Sequence, residues 1–222
     1  MSAAPTPVPL STGDLVERAR RLATDPGAGG RAVLGIVGAP GAGKSTLAEA
    51  IVAALGPQRA VLVGMDGFHL EDSLLRRLGL RDRKGAIDTF DDAGYAALVE
   101  RLAHPGGETV YAPWFDRENE NALAGAVPVP PEVPLVVTEG NYLLADQGAW
   151  PRARARMREV WFLAPDEPVR QERLVARHRA HGKSEADAVA WSLGTDQRNA
   201  ELVAATAARA DLVVRLVSAG HG

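Results

Sequence analysis

The sequence predicts an α/β fold built on a parallel sheet with helices on both faces, and three observations lead there. Short apolar runs of strand length alternate with segments of helical periodicity along most of the 222 residues. The run Ala32-Val33-Leu34-Gly35-Ile36-Val37 leads straight into Gly38-Ala39-Pro40-Gly41-Ala42-Gly43-Lys44-Ser45, which opens an Ala/Leu-rich helical segment. Two further apolar runs, at 60–63 and 135–138, are followed within a few residues by a carboxylate, Asp66 and Glu139 respectively.

The whole chain sets bounds. Its length suits one domain, 1–222, with residues to spare for a lid. The 46% apolar share is ordinary for a globular protein, and a net charge of −3 gives no nucleic-acid footprint. There is no cysteine, so disulfides, thiolate nucleophiles and cysteine-based metal sites are excluded. No apolar run is long enough to span a bilayer, and residues 1–10 carry neither a basic nor an apolar leader segment, so the expectation is a cytoplasmic protein that engages no membrane.

In chain order, residues 1–10 are Pro/Ala-rich and read as a loose tail. Ser11 or Thr12 caps a helix carrying Leu15, Val16, Ala19, Leu22 and Ala23, which stops at Asp25-Pro26-Gly27. After the glycine-rich loop and its helix, 60–63 is the second strand. Residues 71–80 read as a short amphipathic helix, and 81–92 as a solvated charged loop in which Asp91 caps the helix 93–103. Residues 108–117 set aromatics beside charges, as either a pocket wall or an edge strand, and 118–134 read as loop. The strands 135–140, 160–163 and 211–216 complete a five-stranded parallel sheet. A helix opening near Pro165 carries Arg170, Arg173, Arg177 and Arg179, and 184–208 holds one or two more helices.

The pattern Gly-x-x-x-x-Gly-Lys-Ser is a phosphate-binding loop, and its strand–loop–helix setting is the one the chemistry needs. Glycines let successive backbone N–H groups face one anion, and the helix N-terminus adds partial positive charge. Lys44 reaches β- and γ-phosphates, and the Ser45 hydroxyl ligates Mg²⁺. Ligands of open α/β sheets sit beyond the carboxyl ends of the strands, so Asp66 belongs on the same rim. There it either takes the proton of an attacking hydroxyl or serves as the turn residue before Gly67. Glu139, ending an apolar strand, suits the Mg²⁺ shell. His69 either binds substrate or sits in a loop. Arg173 and Arg177 share a helix face, which is either a lid over a triphosphate or a solvated basic surface.

Together, the loop, Met65-Asp66-Gly67-Phe68-His69, residues 83–91, Phe115-Asp116-Arg117, Glu139-Gly140-Asn141-Tyr142 and the spaced arginines Arg173 and Arg177 resemble the uridine kinase, pantothenate kinase and phosphoribulokinase group of P-loop kinases. Within it the chain looks most like a nucleoside-kinase-like, or fructokinase-like, branch. The resemblance implies a P-loop NTPase fold of nucleotide-kinase type with a helical lid at about 166–183. It implies ATP bound by residues 38–46 (Gly38, Ala39, Pro40, Gly41, Ala42, Gly43, Lys44, Ser45 and Thr46) with Arg173 and Arg177 from the lid. Asp66 is then the general base, with Lys44 and Arg173 also catalytic. Asp66, His69, Arg83, Lys84, Phe90, Asp116, Arg117 and Asn141 face the acceptor, Ser45 and Glu139 face Mg²⁺, and Asn199 lies near adenine. Uridine kinases usually carry Tyr at the place of His69 and a Tyr-Asp-Phe stretch at the place of Trp114-Phe115-Asp116, which leaves the acceptor open.

The function expected is an ATP-dependent small-molecule kinase acting on a hydroxyl of a nucleoside, sugar or related alcohol. The alternative is a P-loop ATPase switch with a protein partner, weakened by the absence of Asn-Lys-x-Asp and Leu-Ser-Gly-Gly-Gln segments. A binding module that lost catalysis sits poorly with Lys44, Ser45, Asp66 and Glu139 all present. A homo-oligomer is compatible with the sequence.

Overall fold

Six parallel strands form the central sheet of the computed structural model, which describes residues 5–27, 30–180, 184–185 and 195–217. In chain order the strands are β1 (Val8–Leu10), β2 (Ala32–Gly38), β3 (Ala60–Leu62), β6 (Leu135–Gly140), β7 (Glu159–Leu163) and β8 (Leu212–Leu216). Across the sheet they run β1-β8-β7-β2-β6-β3. The other two, β4 (Val110–Asp116) and β5 (Asn121–Val129), pair antiparallel as a separate ribbon. The helices are α1 (Thr12–Thr24), α2 (Lys44–Leu55), α3 (Asp72–Leu78), α4 (Asp92–Ala103), α5 (Trp150–Arg154), α6 (Glu167–Ala180) and α7 (Thr195–Ala204).

The alternation of β2 explains the layering. Val33 and Val37 face one apolar layer with Tyr95, Val99 and Trp150. Leu34 and Ile36 face the other with Leu15, Leu47 and Ile51. Both faces are covered, which is why the strands read as continuous apolar runs without a polar side. Gly35 is dictated by packing, since a Cβ there would stand 2.8 Å from Met157 Sδ. Helix starts follow their caps. Ser11 and Asp14 form a capping box, and Asp91 accepts the Gly94 N–H at 2.8 Å.

Two expectations are corrected. The sheet has six strands, not five, because Val8–Leu10, expected within the loose tail, adds β1 beside β8 in register Val8–Val214 to Leu10–Leu216. Its gain is backbone pairing at an edge, which Pro9 tolerates and which leaves no apolar alternation to read. Residues 121–129, expected as loop, form β5. Most of that strand is exposed and its partner is β4 alone, so no buried face marks it in the sequence.

The register sets the functional rim. Ile36 pairs with Glu139 and Val37 with Gly140, while Gly38 pairs with Leu163. The carboxyl ends of β2, β6 and β7 therefore stand side by side beneath the glycine-rich loop.

Candidate functional site

β2 ends at Gly38 and the chain turns into α2. Gly41 and Gly43 hold φ of 84° and 91°, a region that L side chains avoid. A Cβ on Gly38 would come 2.9 Å from the Ala42 Cβ, and one on Gly41 would come 2.7 Å from the Arg170 carbonyl oxygen. Gly43 is the N-cap of α2, and among the described residues no side-chain cap hydrogen bond takes up the first N–H groups of that helix. Those open donors at a positive helix end suit a phosphate.

Lys44 is buried at the start of α2. Its Nζ donates to Asn141 Oδ1 at 2.8 Å and to the Ala39 carbonyl at 3.2 Å. Burial lowers its pKa, and the charges of Glu139 and Asp66 oppose that shift. Ser45 Oγ donates to Glu139 Oε1 at 2.9 Å. Burial and the charge of Asp66 raise the pKa of Glu139, against Lys44 and the Ser45 hydrogen bond. A hydroxyl and a carboxylate in contact beside a phosphate cradle are a donor set for a hard divalent cation that completes its shell with phosphate oxygens and water. Among the described residues no group of three or more His, Asp or Glu could hold a metal on its own.

The facing wall comes from the 3₁₀ turn Met65–Phe68 that follows β3. A Cβ on Gly67 would lie 2.9 Å from the Pro113 carbonyl oxygen, so ribbon and turn touch there. Asp66, on this turn, accepts from Arg117 Nη2 at 3.0 Å. The two readings of Asp66, turn residue and site residue, are thus compatible. The His69 ring lies 4.0 Å from the Phe90 ring and 4.8 Å from the Phe115 ring, centroid to centroid. Its Nδ1 is buried with no hydrogen-bond partner among the described residues, and burial pushes its pKa down to about 4. Lys84 Nζ donates to Asp72 Oδ1 at 2.7 Å and to the Glu120 carbonyl at 2.8 Å, which ties the ribbon tip to the loop 81–84.

These walls enclose one cavity of about 170 Å³. Lys44, Ser45, Glu139 and Asn141 line one side, Asp66, His69, Lys84, Phe90 and Arg117 the other. Arg177, Asp196 and Asn199 reach it from α6 and α7. A second pocket of about 180 Å³ opens beyond Asp66 and Arg117, against Pro113, Trp114 and Phe115. A larger groove of about 630 Å³ lies between the end of α1 and Arg158-Glu159, at the amino end of β7 and away from this rim.

Other expected residues are placed differently. Arg83 is exposed and pairs with Asp88 at 3.0 Å, outside the cavity lining. Asp116 spends its carboxylate on the ribbon turn, accepting from Glu118 N at 2.9 Å and Asn119 Nδ2 at 2.7 Å. Asn141, expected on the acceptor side, stands against Lys44. Thr46 is exposed in the first turn of α2. Arg173 lies beside Gly43, its Nη1 3.6 Å from where a Cβ would stand. Residues 181–183 of the expected lid lie outside the described residues. Arg170, expected on this helix but with no role of its own, is 2% exposed and donates to the Pro40 carbonyl at 2.9 Å and to Gln197 Oε1 at 2.7 Å. Its spacing of four from buried Leu174 was the available signal.

Comparison with known proteins gives a consistent picture. The uncharacterized protein YggC of Escherichia coli is 32% identical over 195 residues, covering 86% of this chain and 80% of that protein. The ATP-dependent kinase-like protein notR' of Aspergillus versicolor is 34% identical over 146 residues, 62% of this chain and 85% of its own length. A candidate uridine kinase of Schizosaccharomyces pombe is 28% identical over 195 residues, 83% of each chain. Among solved structures, a candidate fructose transport system kinase from Silicibacter sp. TM1040 superposes with a TM-score of 0.80 at 39% identity, covering 92% of this chain and 98% of that one. No family model matches the sequence.

Proposed function

The chain belongs to the P-loop kinases of the uridine kinase, pantothenate kinase and phosphoribulokinase group, and on that premise we propose that it transfers the γ-phosphoryl group of ATP to a hydroxyl of a small molecule. Nucleosides, sugars and related alcohols are the acceptor classes. One observation carries the reading: the phosphate loop with its Ser45–Glu139 pair and the carboxylate of Asp66 open onto a single cavity.

In this reading the N–H groups of residues 41–45 and the Lys44 ammonium hold the β- and γ-phosphates. Ser45 and Glu139 would hold Mg²⁺, which when bound would supply neutralisation of phosphate charge. Asp66 accepts the proton of the acceptor hydroxyl as its oxygen bonds to the γ-phosphorus and the bond to the ADP oxygen breaks. The products are a phosphate monoester and ADP. Arg173, beside Gly43, and Arg177, on the cavity wall, offset the charge of the transferring group. His69 and Phe90 shape the acceptor side, and closure of α6 over the cavity excludes water that would otherwise take the phosphoryl group.

The test is ADP release from MgATP against uridine, cytidine, pantothenate, glycerate, fructose, ribose and small polyols. Strong stimulation by one class, absent in Lys44→Ala, supports the kinase. Steady hydrolysis that no acceptor stimulates contradicts it and favours a nucleotide-driven switch.

A further inference from the structure

Resting on the kinase reading, we infer that the acceptor is an anionic alcohol: a small molecule carrying a carboxylate or phosphate a few bonds from the hydroxyl that is phosphorylated. The inference starts from Arg117. Its guanidinium gives one N–H, on Nη2, to Asp66 Oδ2 at 3.0 Å, and no other hydrogen bond of this side chain is found among the described residues. A guanidinium has five donors in a fixed plane, so most of the fork of this half-exposed side chain on the cavity rim is open to a ligand. That planar fork is shaped for two oxygens of one carboxylate or phosphate, and a neutral polyol uses it poorly.

Arg117 is also held in place. The Asp116 carboxylate fastens the ribbon turn through Glu118 and Asn119, and Lys84 fastens the ribbon tip through the Glu120 carbonyl. A guanidinium on an anchored turn loses less freedom on binding than one on a free loop.

The charges of the acceptor half point the same way. Beyond Lys44 and Glu139 at the phosphate loop, the charged groups lining the cavity are Lys84, Arg117 and Arg177 against Asp66 and Asp196, three cations against two carboxylates. Lys84 is matched outside the lining by Asp72 at 2.7 Å. Among the described residues the ion pair of Arg117 is with Asp66, the group that must engage the hydroxyl. An acceptor with its own anion beside the hydroxyl satisfies Arg117 and leaves Asp66 to the proton. A neutral acceptor has to share Asp66 with the guanidinium. Because the two side chains touch, hydroxyl and anion must lie close together, and the cavity of about 170 Å³ keeps the molecule small.

The experiment uses the full chain loaded with Mg²⁺ and a non-hydrolysable ATP analogue, with binding read by calorimetry for matched pairs: glycerate and glycerol, gluconate and glucitol, ribose 5-phosphate and ribose. The expected result is that at least one anionic member binds at least about 100-fold more tightly than its neutral partner, a gap that Arg117→Gln removes and Arg117→Lys partly keeps. Glycerate and gluconate report the carboxylate source, ribose 5-phosphate the phosphate source. Tighter binding of any neutral member, a gap unchanged in Arg117→Gln, or no binding of any anionic member at millimolar concentration overturns the inference. ADP release from MgATP separates the two levels. Stimulation by a neutral acceptor alone leaves the kinase standing and removes the anionic acceptor. Hydrolysis that no acceptor stimulates removes the kinase.

Discussion

Arg170 donates through Nη1 to the carbonyl oxygen of Pro40 at 2.9 Å, joining α6 to the phosphate loop between residues 130 apart in the chain. The same guanidinium reaches Gln197 on α7 at 2.7 Å, so one buried side chain ties the loop to both helices that flank the cavity opening. Arg170→Met keeps the apolar stem and removes these bonds. The Pro40 carbonyl then loses its partner, at a cost of about 1–3 kcal/mol. Thermal unfolding is expected to shift down, and MgATP affinity to fall by about tenfold for each 1.4 kcal/mol of that cost that falls on the loop. Unchanged MgATP affinity in a destabilised variant would make Arg170 a packing residue only.

Gly41 combines a positive φ with a neighbour that cannot move away, the Arg170 backbone carbonyl. Gly41→Ala is expected to weaken MgATP binding by about 5- to 30-fold, from about 1–2 kcal/mol of backbone strain alone. The fold should survive, because the loop lies on the rim and not within the apolar layers. Calorimetric titration alongside an unfolding curve separates the two effects, and wild-type affinity would show that the loop tolerates a Cβ.

His69 links the site to stability. Its pKa falls from 6.5 to about 4, first through burial, with Asp66 opposing. The unfolded chain binds the proton at higher pH than the folded one, so this contribution is complete above pH 6.5 and is lost as pH falls towards 4. The unfolding temperature should drop across that window. His69→Phe, which keeps an aromatic ring beside Phe90 and Phe115, should flatten the drop. An equal slope in wild type and variant would place the pH dependence elsewhere.

Legibility in the sequence followed physical cause. The loop 38–45 could be read because glycine conformation, lysine charge and serine hydroxyl are all local requirements, and β2 and β6 because strands covered on both faces must be apolar throughout. β1 and β5 could not, since one pairs at an edge through three residues and the other is largely exposed. The capping role of Asp91 was local and therefore visible. The roles of Arg83 and Asp116 were not, because their partners, Asp88 and Asn119, satisfy each of them within its own loop. Arg170 is one of four arginines of one helix, and only packing distinguishes it as the one buried beneath the phosphate loop.

The most direct measurement is phosphoryl transfer from MgATP to the stimulating acceptor in wild type and Asp66→Asn, with MgATP affinity determined for both. Asparagine keeps the shape and the contact with the cavity but cannot take the proton. MgATP affinity is expected to stay within about threefold while kcat falls by about 10²- to 10⁴-fold, the usual share of a general base. Transfer at the wild-type rate would contradict the assignment of Asp66 as the base. A collapse of MgATP affinity would make Asp66 part of the nucleotide or metal site.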